Sequence, residues 1–169
     1  MPHWRSFRLV TALLLVAAPT VGCGGKPAAP VSSQRDACKE SDGPTANTVR
    51  RSIADVPIEV PASAWVEIAR GHAKKCRLFW VQIIPTIASE STGQQLLFFD
   101  HNVPLGSPTP DSRPYITVVS ASDDTVTVRY QWRVGSERPC CPTGGGTVRF
   151  QIGPDGGIKA LDPIPTKAK

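Results

Sequence analysis

The sequence predicts an α+β domain: one N-terminal helix packed on a curved antiparallel sheet of about six or seven strands and stapled by disulfides. Three observations carry that prediction. Only one stretch, Thr45 to Val56, has helical spacing of apolar residues, and nearly every later segment either alternates or runs apolar between Gly, Pro and Asp turns. Four cysteines follow a segment built for export, which places them where disulfides form.

The export segment comes first. Arg5 and Arg8 make a basic start, Leu9 to Ala18 form an apolar core, and small residues precede Cys23. The core is too short to span a bilayer, which takes roughly 20 apolar residues. Residues 1–22 therefore read as a signal peptide. Val21-Gly22-Cys23 resembles the bacterial lipobox, in which the cysteine thiol receives a diacylglycerol and the freed amine is a further acylation site. Thr20 stands where that motif usually has Leu. The expectation is a lipoprotein anchored through Cys23 at the extracytoplasmic face of the cell membrane.

Residues 23–37 read as the anchor cysteine and a flexible linker, since Gly24 to Asp36 is mostly Gly, Pro, Ala, Ser and Lys with nothing large to bury. Fully extended, that tether spans about 45 Å, and as a flexible chain nearer about 20 Å. Ser32 and Ser33 beside Pro30 are candidates for O-linked sugar. Residues 38–169 form the single globular domain.

Within it, Val49, Ile53 and Val56 share one helix face, with Arg50 and Arg51 on the other side and Pro57 as the stop. Trp65 to Arg70 and Cys76 to Ile84 read as strands around a Gly71-to-Lys75 turn. The run Leu78 to Ile84 is apolar on both faces, so it is expected at the centre of the sheet. Gln95 to Asp100 is another such run. The connection through Pro104, Pro108, Pro110 and Pro114 is expected to be irregular.

Tyr115 to Ser120 and Thr125 to Arg133 flank an Ala121-Ser122-Asp123-Asp124 hairpin turn. In the second strand Val126, Val128, Tyr130 and Trp132 point one way, and Thr127, Arg129, Gln131 and Arg133 the other. Val148, Phe150 and Ile152 repeat the pattern against Thr147, Arg149 and Gln151. A last hairpin turns at Pro154-Asp155-Gly156-Gly157 and returns through Ile158 to Leu161.

Formal charge is +5, and losing Arg5 and Arg8 with the signal peptide lowers it to +3. That mild balance, without a Lys/Arg block or interleaved aromatics, argues against nucleic acid as a partner. The expected partner is the membrane itself, through the lipid anchor. No cofactor motif is visible. Gly144-Gly145-Gly146 lacks the lysine and helix of a phosphate loop and reads better as a hairpin turn.

The segments Cys38 to Thr45, Cys76 to Val81, Leu97 to Asp100, Asp123 to Val128 and Cys140-Cys141-Pro142-Thr143-Gly144 resemble the LppP/LprE family of mycobacterial lipoproteins. The resemblance extends over nearly all of the chain beyond Cys23, and the paired cysteines are its most specific element. It implies a cell-envelope lipoprotein. It implies no reaction.

Among Cys38, Cys76, Cys140 and Cys141 three pairings are possible. Joining the neighbours Cys140 and Cys141 forces a strained ring, so the expectation is that Cys38 and Cys76 each bond one member of the adjacent pair.

Catalytic readings are thin. His72 and Cys76 have a spacing that suits two metal ligands, but no second pair follows, and a disulfide cysteine beside a surface histidine is the plainer reading. Cys140-Cys141 lacks the Cys-x-x-Cys of a redox pair. Asp100 and His101 are expected to project from opposite sides of a strand end, which speaks against a relay between them. If the strand ending at Arg133 pairs with the one containing Arg149, then Arg129, Arg133 and Arg149 share one exposed face. Those side chains either splay into water or turn towards anionic lipid headgroups or an acidic envelope glycan. The leading expectation is a non-enzymatic binding or scaffolding domain on a lipid anchor, and the alternative is a small envelope hydrolase or redox accessory.

Overall fold

The computed structural model describes residues 38–166. The expected signal peptide, the expected anchor Cys23, and the stretch read as a linker with Ser32 and Ser33 lie outside the described residues.

Helix α1 (Ala46–Ala54) starts at Thr45, whose side-chain oxygen accepts the Thr48 N–H at 3.2 Å, a cap that satisfies one of the open amides of the first turn. It ends at Asp55, whose N–H bonds the Arg51 carbonyl, two residues before Pro57. Both ends of the predicted Thr45-to-Val56 stretch are thus caps and exits rather than helix.

Eight strands follow among the described residues. They are β1 (Trp65–His72), β2 (Leu78–Pro85), β3 (Gln95–Asp100), β4 (Val103–Gly106), β5 (Ile116–Ala121), β6 (Val126–Trp132), β7 (Gly144–Ile152) and β8 (Ile158–Ala160). They form two four-stranded antiparallel meanders, β1-β2-β3-β4 and β5-β6-β7-β8. This corrects the single sheet of six or seven strands. The break falls in the connection after β4, where Pro108, Pro110 and Pro114 cannot donate to a ladder. Among the described residues one isolated β-bridge, between Gln94 and Arg113, joins that connection to the edge of the first sheet.

The same connection is less irregular than expected at its start. Val103–Gly106 forms β4 with Pro104 inside it, which an edge strand tolerates because one side of its backbone has no partner to lose.

The layers run helix, first sheet, second sheet. Phe79, Val81, Ile83, Leu97 and Phe99 face α1 and pack with Val49, Ile53 and Val56. Leu78, Leu96 and Phe98 face the other way, onto Ile116, Val126, Val128, Tyr130, Val148 and Phe150 of the second sheet. The apolar character of β2 on both faces now has its cause: one face meets the helix and the other a second sheet. The rings of Phe98 and Phe150 sit 5.3 Å apart at the centre of the inter-sheet core.

The β1–β2 turn is docked on the β5–β6 turn. The N–H groups of Lys74 and Lys75 each donate to a carbonyl, of Ser122 and Asp123 respectively, both at 2.9 Å, and Lys75 pairs with Asp124.

Candidate functional site

A cleft of about 810 Å³ opens where β6 ends, and none of its lining residues comes from β1 to β4. Tyr130 and Trp132 continue the inward face of β6 into it. Arg113, Pro114 and Tyr115 close a second side, Pro165 and Thr166 a third, and Gln131 and Arg133 reach its rim. Among the described residues the lining holds two arginines, three large aromatics and no carboxylate.

Several local features build this arrangement. Backbone bonds in both directions between Gln94 and Arg113, each 2.9 Å, pin the Arg113 main chain to the first sheet. Its guanidinium then lies 5.7 Å over the Tyr130 ring and donates from Nη1 to the Pro165 carbonyl. Tyr115 takes a left-handed backbone conformation, φ 59°, which a bulky residue adopts only when its surroundings demand it. Its hydroxyl donates to the Pro139 carbonyl at 2.6 Å, tying the cleft to the β6–β7 loop.

The glycine triplet is part of the same wall. Gly144, Gly145 and Gly146 lie within β7 opposite Trp132, Gln131 and Tyr130, which corrects the hairpin-turn reading. A Cβ at Gly144 would overlap the Trp132 indole, and one at Gly146 would press on Pro165 at 3.1 Å. Bare backbone lets the indole lie flat across the strand.

Two polar atoms beneath the cleft have no hydrogen-bond partner among the described residues, the Tyr130 hydroxyl and Arg113 Nε. Tyr130 is only 2 % exposed, and burial pushes its phenol up to about 12 against the smaller opposing pull of Arg113.

The three arginines singled out in the sequence are divided. Arg129 stands on the exposed face of β6 opposite Thr147, and Arg149 on the same face opposite Thr127. Arg149 is committed to Asp162, with Nε and Nη2 donating at 2.9 and 2.8 Å. Arg133 lies past the end of β6, at the cleft rim. Asp162 escaped sequence reasoning because it arrives from the stretch after β8. The Arg149 side chain and backbone N–H together hold the Asp162 carboxyl down to about 2, from an ordinary 3.8. A depressed carboxyl contributes stability above its unfolded value and loses it as pH falls through the folded one. The pair should therefore persist to about pH 3 and dissolve towards pH 2. An NMR titration should place the Asp162 midpoint near 2, and a midpoint near 3.8 would show the pair to be unformed.

The cysteine pairing departs from expectation. Cys38 bonds Cys76, with Cα atoms 5.3 Å apart, and Cys140 bonds its neighbour Cys141. The reason lies in β6. Cys76 sits in the turn docked on Ser122 and Asp123, at the start of that strand, whereas Cys140 and Cys141 lie in the loop beyond its end. A seven-residue strand spans about 20 Å, far outside the roughly 7 Å that a disulfide can bridge. The loop carrying the adjacent pair is closed at its neck by Glu137, which accepts from the Val134 and Thr143 N–H groups and the Thr143 hydroxyl. Those bonds hold the Glu137 carboxyl below the usual range, the Thr143 hydroxyl first among them.

The disulfide also removes Cys76 from any metal pairing with His72, and among the described residues no three His, Cys, Asp or Glu side chains converge. His72 instead packs its ring 5.4 Å from Phe79. Asp100 and His101, expected to diverge, are in contact at 2.8 Å because His101 curls back at φ 50°. Arg77 grips the same carboxylate with Nε and Nη2 and holds the Asp100 carboxyl below its ordinary range. Among the described residues no serine, threonine or cysteine side chain hydrogen-bonds His101.

A family model described as LppP/LprE lipoprotein matches residues 70–155. A Mycobacterium bovis protein named "Putative lipoprotein LppP" is 66 % identical over 144 residues, covering 85 % of this chain and 82 % of that protein. Proteins of the same name from two Mycobacterium tuberculosis strains match to the same extent, 66 % over 144 residues. No solved structure matches the chain.

Proposed function

Since the chain belongs to the LppP/LprE lipoprotein family, we propose that it is an envelope lipoprotein held by acyl chains on Cys23 at the extracytoplasmic face of the cell membrane, and that its domain binds a ligand rather than catalysing a reaction. The observation that supports binding is the cleft at the end of β6, with its aromatics, two arginines and unpartnered floor. The most enzyme-like pair, Asp100 and His101, has its carboxylate gripped by Arg77. Among the described residues no helix is long and apolar enough to cross a membrane. The proposed anchoring rests on the acyl chains of Cys23.

Cys23→Ala tests the anchor. The wild-type protein should partition into detergent with the membrane fraction, and the variant should appear in the aqueous phase. Unchanged partitioning of the variant would remove the lipid anchor from this account.

A further inference from the structure

We infer that the cleft at the end of β6 is a saccharide site that takes a pyranose ring bearing an anionic group, a carboxylate or a phosphate. The inference rests on the binding role proposed above and names the ligand class. Charge supplies the first argument. Arg113 and Arg133 line a space with no acidic side chain among the described residues, and a guanidinium pairs best with a planar carboxylate or a phosphate. Glu137, the acid nearest in sequence to Arg133, has its carboxylate taken up by Val134 and Thr143.

Shape and polarity together supply the second. Trp132 and Tyr115 offer flat apolar surfaces, while the Tyr130 hydroxyl and Arg113 Nε lie unpartnered below. A sugar ring has an apolar C–H face for the former and a rim of hydroxyls for the latter. A fatty chain or a simple aromatic acid would leave the polar atoms unmet, and a buried polar group without a partner calls for an explanation. Both atoms are covered in the unliganded cleft, so the Arg113 side chain is the part that yields. Its Nη1 bond to the Pro165 carbonyl and its seat over the Tyr130 ring hold it. The third argument is the left-handed Tyr115, a strained residue fixed at the cleft wall where strain commonly marks a ligand site. The cleft, about 810 Å³, falls within the roughly 300–1,000 Å³ of small-molecule sites.

Calorimetry on the full-length lipoprotein in a sugar-free non-ionic detergent tests the assignment with four probes: glucuronate, glucose 1-phosphate, methyl glucoside and inorganic phosphate. The two anionic sugars should bind at least about tenfold more tightly than the other two, weaken with salt, and move the Trp132 indole resonance. Arg133→Ala should cost about tenfold, the loss expected for one charge-assisted hydrogen bond. Tyr130→Phe should fold with an unchanged or higher melting temperature, because its hydroxyl has no partner to lose, and should weaken the anionic sugars about tenfold. Equal binding of inorganic phosphate and glucose 1-phosphate would overturn the sugar, and equal binding of methyl glucoside and glucuronate would overturn the anion. If no probe binds, the ligand class is wrong, whereas the anchored-lipoprotein reading stands or falls separately on Cys23→Ala.

Discussion

Replacing Cys38 and Cys76 together by serine should lower stability by about 4 kcal/mol and the melting temperature by roughly 15 °C. The bridge spans a sequence separation of 38 residues, so its loss frees the unfolded chain from a long closed loop. It also releases the segment before α1 from the β1–β2 turn, where Cys76 holds a left-handed conformation, φ 56°. The matching replacement of Cys140 and Cys141 should shift the melting temperature by no more than a few degrees, since adjacent residues enclose almost no chain entropy. Thermal unfolding of both double variants decides the point. Equal losses would mean that the pairing is not the one described.

Phe98→Ala should cost about 4 kcal/mol, a large share of the roughly 5–15 kcal/mol that holds an ordinary domain folded. Phe98 is fully buried, lies on the inner strand β3, and meets the Phe150 ring at a tilt across the gap between sheets. Alanine there leaves a cavity that neither sheet can close without giving up its own ladder. Phe98→Leu, which keeps most of the volume, should cost less than half as much. Denaturant unfolding measures both, and a loss under about 1 kcal/mol for Phe98→Ala would show that the two sheets are not packed through this residue.

The helix, the strands other than β4 and the facing of side chains along β6 were legible because periodicity reports them directly. Val126, Val128 and Tyr130 are buried and Arg129 is exposed, as alternation predicts. Periodicity does not say which strand lies beside which. The two-sided run Leu78 to Ile84 announced a buried strand, but a helix below and a sheet above leave the same trace as a wide single sheet. The cleft was less legible still. Arg113 and Tyr115 come from a proline-rich connection, Trp132 from a strand end, and Pro165 from the stretch after β8. Each reads as unremarkable until the backbone bridge at Gln94 brings the first of them to the others. The disulfides were misread because adjacent cysteines looked unfit for each other, while the distance along β6 that separates them from Cys76 is visible only in three dimensions.

Every ladder in the two meanders joins strands consecutive in the chain. For a polypeptide delivered through a translocation pore N-terminus first, this sets a timetable. The helix, all four strands of the first sheet and both partners of the long disulfide have emerged once Gly106 is through. That half can zip and oxidise without waiting for distant sequence, since short connections close quickly. Its exception is the face of Leu78, Leu96 and Phe98, which stays bare until β5 to β8 arrive to cover it. During that interval the half-emerged chain presents a bare apolar sheet, the kind of surface through which incompletely folded chains aggregate.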